Sequence, residues 1–362
     1  MKAIVYTKYG PPEVLQLKEV EKPVPKDNEV LVKVHAVGVN ASDWEGLRGK
    51  PLYARLMGLF KPGKKILGSD IAGRVEAVGK NVKQFKPGDE VFGDIFGHMG
   101  GFAQYACAPV NTLLPKPAGM TFEEAAALPQ SAVIALQGIR DKGQVQPGQK
   151  VLINGAGGGA GTFAVQLAKY FGAEVTGVDS TSKLDMLRSI GADHVIDYTQ
   201  EDFTKKGVAP PTHSRSARCR SFGDVISKVC RKDKVSQGLS KKGQQYDLIL
   251  DMVAYRSIFA YKRALSAKGK YYMVGGSMAA IFQALLLGPL IKILGGKKLS
   301  ILAVRANTKD LAFMTELVEA GKVVPVIDKH FPLSKVAEAL LYLGEGHAKG
   351  KLVITGEHNN KS

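Results

Sequence analysis

The first third of the chain consists of short stretches in which apolar and polar residues alternate. Between Glu29 and Gly38, one face carries Val30, Val32, Val34 and Ala36, and the other carries Leu31, Lys33, His35 and Val37. This period of two is typical of a β-strand. Residues 68–79 and 100–107 are also strand-like, so residues 1–120 are predicted to be mostly β. On this pattern His35 is expected at the surface and Cys107 in the core.

Strand and helix patterns alternate in the middle of the chain. The predicted elements are strands at 151–153, 174–178 and 194–197, an apolar helix after the first strand and a second helix at 183–190. Together they make one half of a doubly wound parallel sheet. Thr121 and Glu124 form a capping box that predicts the first helix of this part. Alternating α and β elements are therefore predicted over residues 121–305.

The last part of the chain is predicted to contain helices at 309–319 and 334–343 and a closing strand at Lys351–Thr355. Before them, Ile281–Leu294 is apolar, but Gly288-Pro289 interrupts it. It is also shorter than the roughly 20 residues that span a bilayer. We interpret it as a core or interface helix and leave open a contact with a membrane surface.

Residues 207–242 interrupt the alternation of strands and helices. They hold nine Lys or Arg and two Asp or Glu, together with two prolines and many polar residues. Such a composition buries little apolar surface, and loops of this length are uncommon inside compact domains. The segment is predicted to be a mobile surface insertion, with a basic partner-binding segment as the alternative.

The net charge and the number of cysteines indicate which binding partners and which cellular compartment to expect. The formal net charge is +17, of which residues 207–242 supply +7 and the rest +10. A basic surface attracts phosphate-bearing cofactors, nucleic acid or anionic membrane, and a solvated basic surface is the simpler interpretation. The three cysteines, Cys107, Cys219 and Cys230, show no metal spacing. The amino terminus resembles a strand and not a signal peptide. The cysteine pattern and this amino terminus together favour a reducing, cytoplasmic location.

The strand predicted at 151–153 is followed by a glycine-rich turn, Gly155-Ala-Gly-Gly-Gly-Ala-Gly161. This turn is the candidate binding site for a dinucleotide cofactor. Glycine lets the backbone approach a pyrophosphate at Gly155 and Gly158, and lets the helix pack close to the strand at Gly161. The free N–H groups at the helix start, which include Gly159 and Ala160, then face the phosphates. Asp179 lies 18 positions after Gly161, near the spacing of a ribose-binding acid.

Several motifs in this order resemble the medium-chain dehydrogenase/reductase superfamily, and most closely its zinc-free quinone oxidoreductase, or zeta-crystallin-like, branch. They are Gly38-Val-Asn-Ala-Ser-Asp43, Gly68-Ser-Asp-Ile-Ala-Gly73, Pro87-Gly-Asp-Glu-Val91, the glycine turn and Gly191-Ala-Asp193. The resemblance covers nearly the whole chain except 207–242. It implies a GroES-like β domain from residues 1–120 and 306–362, a Rossmann domain from 121–305 and a cofactor in the cleft between them. It also implies a homodimer joined through Rossmann edge strands near Leu299–Val304.

The same resemblance bears on zinc and on the choice of cofactor. Zinc-dependent relatives have Cys and His where this chain has Asn40 and Ser69, and an amide or a hydroxyl replaces neither well in a tetrahedral zinc site. No metal site is therefore expected. Asp179 favours NAD(H), because a carboxylate there repels a 2′-phosphate. Against it, Ser180, Thr181 and Lys183 can donate to a phosphate, and the family's use of NADPH makes NADP(H) the favoured cofactor, with NAD(H) as the alternative.

The resemblance also assigns individual residues to the cleft. Asn40 and Asp43 are the catalytic candidates, and a polar turn or a helix cap is their structural alternative. The further cofactor-binding candidates lie along the cleft. Near the nicotinamide are Trp44 and, beneath the ring, the segment Val274, Gly275 and Gly276. Tyr198 is placed near the adenine, Gln130 at the entry to the Rossmann domain, and Lys351 where it would close the cleft. Val253 is also a candidate.

Without a metal, hydride transfer is easiest to a quinone or to the β-carbon of an α,β-unsaturated ketone, because the charge spreads to a distant oxygen. The predicted function is therefore NAD(P)H-dependent reduction of such compounds, with the cofactor supplying the chemistry and the protein orienting it. Two alternatives stay open. One is a zinc-free alcohol or aldehyde reductase, and the other is a cofactor-binding protein that contacts RNA or a membrane surface.

Overall fold

The computed structural model describes residues 1–56, 58–205 and 245–356. The predicted insertion at 207–242 lies outside these residues, as do Cys219 and Cys230. The strands of the described residues are β1 Lys2–Val5, β2 Gln16–Glu19, β3 Glu29–Val39, β4 Asp70–Val78, β5 Glu90–Asp94, β6 Tyr105–Pro109, β7 Leu113–Pro115, β8 Lys150–Asn154, β9 Glu174–Asp179, β10 His194–Asp197, β11 Tyr246–Asp251, β12 Leu265–Met273, β13 Lys298–Ile301, β14 Ile327–Pro332 and β15 Lys351–Thr355.

Most of these strands are connected by helices. The helices are α1 Ala41–Arg48, α2 Phe122–Ala127, α3 Pro129–Leu136, α4 Gly159–Tyr170, α5 Leu184–Ser189, α6 Ile258–Ala264, α7 Met278–Gly295, α8 Thr308–Glu319 and α9 Val336–Gly344. A π-helical turn, Gln137–Gly143, continues α3. Short 3-10 turns occur at Pro12–Val14, Leu52–Arg55, Val110–Thr112, Thr181–Lys183 and Leu333–Lys335.

The middle of the chain forms a parallel six-stranded sheet in the order β10-β9-β8-β11-β12-β13. One hydrophobic core joins a face of this sheet to α3, α4 and α8, and another joins the opposite face to α6 and α7. Burial on both faces explains why Val151–Ile153 is apolar without alternation. The strand order reverses between β8 and β11, and ligands of such sheets bind at the carboxyl ends beside this reversal. The predicted doubly wound sheet is confirmed.

The two ends of the chain share the second large sheet. Its strands run in the order β14-β15-β3-β4-β5-β7, and β6 also pairs with β3. β15 pairs antiparallel with the end of β3, which places Leu352 opposite Val39. The end of the chain is therefore built into the amino-terminal unit, in agreement with the predicted GroES-like architecture.

α2 is the first helix after the boundary predicted at residue 120, and its start matches the sequence analysis closely. Thr121 accepts the Glu124 N–H at 3.1 Å, and the Glu124 carboxylate accepts the Thr121 N–H at 2.9 Å. The helix packs on β3, β4 and β15 of the amino-terminal unit. One of its residues, Phe122, stacks on His35 with ring centroids 4.3 Å apart, so His35 is half-buried instead of lying free at the surface.

Two other local predictions need correction. Cys107 is half-buried and not a core thiol, and burial together with Glu29 raises its pKa to about 11. The apolar stretch at 281–294 is one continuous helix, α7, which runs through Pro289. The N–H that proline lacks would have bonded to the carbonyl of Leu285, an exposed residue, where water can replace that bond. α7 is also mostly exposed. Of the two interpretations, a core helix or an interface helix, the core helix is therefore wrong, and the interface helix stays a prediction.

The close approach of α4 to the glycine turn generates a stability prediction. A Cβ on Gly161 would lie 2.2 Å from the carbonyl oxygen of Gly155, whereas a Cβ on Gly158 would lie 3.5 Å from the same oxygen. We expect Gly161→Ala to lower the free energy of unfolding by about 3 kcal/mol or more, and Gly158→Ala to change it by about 1 kcal/mol or less. Denaturant unfolding of the cofactor-free protein measures both, and equal losses would contradict this account of the turn.

Candidate active site

The glycine turn and the first turn of α4 form an anion-binding surface. Gly155 and Ala156 donate their N–H groups to the carbonyl of Val178 at 3.0 and 3.1 Å. Gly158 is the N-cap of α4, so the N–H groups of the next three residues, Gly159, Ala160 and Gly161, precede the first intrahelical hydrogen bond of the helix. These groups and the helix dipole favour an anion where the sequence predicts a pyrophosphate.

Asp179, at the end of β9, holds the glycine turn. Its Oδ2 accepts the N–H of Gly157 and its Oδ1 accepts the N–H of Ser180, both at 2.8 Å. The Lys183 ammonium lies 3.4 Å from Oδ1, and both side chains are almost fully buried. Because this ammonium offsets the negative charge, Asp179 opposes a 2′-phosphate less than an unpaired carboxylate would. The structural setting therefore weakens the argument for NAD(H) that the sequence alone provides.

The remaining adenosine-side candidates lie at the ends of β9 and β10. Tyr198 donates its N–H to the carbonyl of Asp179 at 3.1 Å, and its ring is about half exposed. The hydroxyl of Thr181 donates to the carboxylate of Asp197. The structure thus gathers Ser180, Thr181 and Tyr198 beside the acid that holds the turn.

A buried carboxylate that the sequence analysis did not identify, Asp251, positions the nicotinamide-side candidates. It accepts the N–H of Val253 at 3.0 Å and the side-chain amide of Asn154 at 2.8 Å. Its carbonyl also accepts the N–H of Val274 at 2.8 Å. Asn154 and Asp251 are the last residues of two adjacent buried strands, β8 and β11. A polar residue at the end of each buried strand is the sequence signal that could have identified Asp251.

Asp43 serves the start of α1. Its Oδ2 accepts the N–H of Asn40 and its Oδ1 accepts the N–H of Gly68, both at 2.9 Å, and the side chain is fully buried. Burial raises the pKa of Asp43 to about 7, although the two N–H groups oppose the rise. These contacts support the structural alternative for Asp43, a helix cap that also ties down residue 68.

Trp44 packs within the amino-terminal unit. Its indole lies against Gly344 at the end of α9, and the Arg48 guanidinium is 4.9 Å from the ring centroid. The ring is therefore held between α1 and α9, whereas the family resemblance implied a position near the nicotinamide.

The ammonium of Lys351 is the centre of a buried polar cluster where the two sheets meet. Its Nζ donates to Asn40 Oδ1 at 2.7 Å, to Ser131 Oγ at 3.2 Å and to the carbonyl of Val39 at 3.3 Å. Asp70 Oδ2 lies 3.6 Å away and also accepts the N–H of Gln130 at 3.1 Å. The structure therefore brings together Asn40, Gln130 and Lys351, which the sequence analysis assigned to the cleft from distant parts of the chain.

Electrostatics in this cluster are dominated by burial. Burial lowers the pKa of Lys351 and raises the pKa of Asp70, and each partner's charge opposes the shift of the other. Asp94, paired with Asp70 across β4 and β5, has its pKa raised to about 7 by burial and by the charge of Asp70. Three carboxyl groups, those of Asp43, Asp70 and Asp94, thus share one ammonium, which favours protonation of some of them near neutral pH.

A cavity of about 230 Å³ opens beside α1. Its lining is largely apolar and aromatic and includes Tyr6, Tyr9, Leu56, Phe96 and Met99. One wall carries a polar pair, because the Tyr53 hydroxyl donates to Glu45 Oε1 at 2.9 Å. A Cβ placed on Gly275 would lie 3.5 Å from that hydroxyl and 3.9 Å from Glu45 Oε1. The pair therefore lies at the boundary between the cavity and the segment predicted to pass beneath the nicotinamide. Sequence analysis missed both residues, since nothing in the chain links a glutamate to a tyrosine eight positions later.

Comparison with known proteins agrees with this architecture. Residues 26–118 match the alcohol dehydrogenase GroES-like domain family, and residues 223–354 match the zinc-binding dehydrogenase family. The chain is 33% identical to 2-methylene-furan-3-one reductase of Solanum lycopersicum, over 98% of this chain and 79% of that protein. It is 31% identical to the chloroplast envelope quinone oxidoreductase homolog of Arabidopsis thaliana, over 98% of each.

Solved structures show the same arrangement. The quinone oxidoreductase from Coxiella burnetii superposes with a TM-score of 0.79 at 27% identity, covering 98% of this chain and 99% of that one. CurK enoyl reductase gives 0.77 at 25% identity with the same coverage. Fold and site thus define a two-domain oxidoreductase with a GroES-like domain. The chain belongs to the medium-chain dehydrogenase/reductase superfamily, in its quinone oxidoreductase-like branch.

One matched family is described as zinc-binding, and its match covers residues 223–354. The residues that stand where the resemblance implies zinc ligands, Asn40 and Ser69, lie outside that range and do not fit zinc. Asn40 offers an amide that already contacts the Lys351 ammonium, and Ser69 offers a buried hydroxyl. The Lys351 amine already occupies Asn40 Oδ1 at 2.7 Å, and in its charged form it opposes a cation there. Among residues 1–56, 58–205 and 245–356, no three His, Cys, Asp or Glu side chains are grouped to hold a metal ion.

The Lys351 cluster generates a prediction about stability. Lys351→Met removes the ammonium and leaves Asp70 buried without its counter-charge, which we expect to lower the free energy of unfolding by about 3–5 kcal/mol. Asp70→Asn in the same chain removes the uncompensated carboxylate, so the double variant should recover part of that loss. Denaturant unfolding of the two single variants and the double variant gives the coupling energy. Additive losses would show that the ion pair at 3.6 Å contributes nothing of its own.

Proposed function

We propose that the protein reduces quinones or α,β-unsaturated carbonyl compounds with a nicotinamide cofactor and without zinc. The observation that carries the proposal is the apolar cavity whose polar pair, Tyr53 and Glu45, borders Gly275. The names of several relatives support the substrate class, among them an NADPH-dependent alkenal/one oxidoreductase of Arabidopsis thaliana that is 30% identical over 98% of this chain and 79% of that protein.

The bound nicotinamide supplies the hydride, and the residues of this chain supply position and protons. The N–H groups at the start of α4 would hold the pyrophosphate. The aromatic and apolar lining of the cavity would hold a flat apolar substrate and exclude water from it. Reduction of an enone adds a hydride to the β-carbon and a proton to the α-carbon. The polar pair that borders Gly275 would supply that proton. Burial raises the pKa of Glu45, and burial together with Glu45 raises the pKa of Tyr53, so both groups hold their protons. A protonated Glu45 would donate to the Tyr53 oxygen and free the phenol proton, which now bonds to Glu45, for the α-carbon.

For the cofactor we propose NADP(H), with Lys183 as the residue that permits a 2′-phosphate beside Asp179. Its ammonium lies 3.4 Å from the acid, at the end of β9 where the ribose of a bound dinucleotide lies in this fold.

For assembly and location we propose a cytoplasmic homodimer joined through β13, the outer strand of the parallel sheet. Apart from Leu299, whose carbonyl lies against Gly288 of α7, the outer backbone groups of this strand could pair with a second copy. Light scattering at micromolar concentration should give the mass of two chains, and the mass of one chain would remove the dimer from the proposal.

The substrate class is tested by NADPH and NADH oxidation against a panel of quinones, enones, aldehydes and ketones. We expect turnover with quinones and enones, and rates that a chelator does not change. Turnover restricted to simple aldehydes or ketones would refute the proposed substrate class. Cofactor binding without turnover would favour a binding protein, and loss of activity to chelator together with stoichiometric zinc would refute the zinc-free proposal.

Cofactor choice is tested by Lys183→Gln. We expect the Kd for NADPH to rise about tenfold and the Kd for NADH to change little, since loss of one buried charged hydrogen bond costs about 1.5 kcal/mol. Lys169→Gln is the matched control, because Lys169 also pairs with an aspartate but lies near the far end of α4. Tighter binding of NADH by the wild type, reversed by Asp179→Ala, would instead identify an NAD enzyme.

The role of Tyr53 is tested by Tyr53→Phe. We expect kcat/KM for enones to fall about 100-fold, the usual contribution of a proton donor, while quinone reduction changes little because its oxygens take protons from water. Tyr9→Phe is the matched control: its hydroxyl is engaged by the carbonyl of Gly58 in the same cavity, so the ratio of the two rates should not change. An equal loss with both substrates in Tyr53→Phe would make Tyr53 a positioning residue.

A further inference from the structure

α7 presents an apolar surface outward. Among the described residues it is the one helix long and apolar enough to cross a membrane by length and composition, and only 17% of it is buried. Its large exposed side chains range from 54% exposure at Leu290 to 84% at Leu294, and they are Phe282, Leu285, Leu286, Leu290, Ile293 and Leu294. Their spacing of three and four residues places them along one stripe of the helix.

The fold fixes how this stripe can meet another surface. α7 connects β12 to β13, two neighbouring strands of one sheet, and its inward residues Ala284, Gly288 and Ile291 are buried. The helix therefore cannot leave the sheet to cross a bilayer without removing these residues from the core. It can only lie along a surface, with the exposed stripe pointing away from the protein.

A neighbouring helix widens the apolar face. α6 lies beside α7, and the Ile258 N–H donates to the Gln283 side chain at 3.2 Å. Phe259, on α6, is about half exposed as well. Single exposed apolar residues are ordinary, but a run of this kind on two adjacent helices marks an interaction surface.

The charge of this part of the chain indicates what the surface meets. From Met252 to Lys309 the sequence contains no Asp or Glu. Its Lys and Arg residues are Arg256, Lys262, Arg263, Lys268, Lys270, Lys292, Lys297, Lys298, Arg305 and Lys309. Lys292 lies on α7 itself, and Lys297 and Lys298 follow its end, where Lys297 donates to the carbonyls of Lys262 and Leu265 at the end of α6. The apolar stripe is therefore bordered by positive charge.

We propose that the α7 face docks on an anionic membrane, with the stripe entering the headgroup region and the lysines contacting lipid phosphates. Apolar side chains bordered by Lys and Arg are the combination that holds a helix in the membrane interface. A second copy would bring no Asp or Glu from residues 252–309 to this face, whereas lipid phosphates supply the negative charge that its lysines lack.

This docking would also serve catalysis, a consequence that rests on the proposed function. α7 begins directly after Gly275 and Gly276, beside the Tyr53 hydroxyl. A membrane held against α7 therefore lies close to the cleft. The substrates it favours are quinones or enones that dissolve in lipid.

Flotation with lipid vesicles tests the docking independently of turnover. The full-length protein is mixed with vesicles of phosphatidylcholine alone or of equal parts phosphatidylcholine and phosphatidylglycerol. We expect it to float with the anionic vesicles only and to be released as salt screens the charges. Equal binding to both kinds of vesicle, or to neither, would overturn the proposal.

Variants assign the binding to α7. Ile293→Gln combined with Leu294→Gln should weaken vesicle binding at least about tenfold, and Lys292→Gln combined with Lys298→Gln should weaken it roughly fivefold per lysine. The controls are Val24→Gln, which changes an equally exposed apolar residue far from α7, and Lys80→Gln. All variants should keep wild-type turnover of a water-soluble substrate. If turnover is absent in the wild type as well, the proposed function fails, while the vesicle result still decides the docking.

Sedimentation velocity without lipid distinguishes a contact between two copies of the chain from a contact with a membrane. If the α7 glutamine variants dissociate an oligomer and vesicle binding is absent, the face is an interface between copies and the membrane proposal is wrong. If the oligomeric state is unchanged and vesicle binding is lost, the membrane proposal is supported.

Discussion

One buried ammonium ties residues of the two domains together at the cleft. Lys351 comes from the last strand, yet its Nζ reaches Asn40 at the start of α1, Ser131 on α3 and Asp70 on β4. A charge that is taken out of water must be paired and hydrogen-bonded to be tolerated, so each of these partners is held to a defined position. The same lysine side chain lies against Gly159 at the first turn of α4. Together with the hydrogen bond from the Gly350 N–H to the Gly157 carbonyl, it holds the anion-binding turn against the amino-terminal unit.

The Lys351 ammonium also limits what the residues around it can do chemically. It contacts Asn40, the position where zinc-dependent relatives place a metal ligand, and the carboxyl groups around it have raised pKa values because they are buried. The cluster can fix geometry and share protons among its carboxyl groups. Tyr53 and Glu45, which line the cavity and border Gly275, are not members of this cluster. In the proposed function, positioning and proton supply would therefore fall to separate residues.

The cleft and the α7 face are continuous in the chain. β12 ends at Met273, the glycine pair follows, and α7 begins at Met278. The substrate cavity is lined by apolar and aromatic side chains, and the helix beside the cleft exposes more of them. For the proposed function, an apolar cavity together with an apolar, positively bordered helix that follows Gly276 would suit substrates that partition into lipid.

By itself the sequence determined the elements with strong local signals. The alternation from Glu29, the buried strand before Gly155, the capping box at Thr121 and the acid at the end of β9 are local patterns, and the structure contains each of them. The family motifs also predicted the fold class, because they occur in the family's order along nearly the whole chain. The tertiary structure decided what depends on residues distant in sequence: the pairing of Asp179 with Lys183 and Gly157, the cluster around Lys351, and the place of Tyr53 beside Gly275. It also decided that α7 is exposed, since an apolar helix has the same sequence pattern whether a core or another surface covers it. Local patterns report what a segment prefers, whereas charge pairing and exposure depend on which segments the fold brings together.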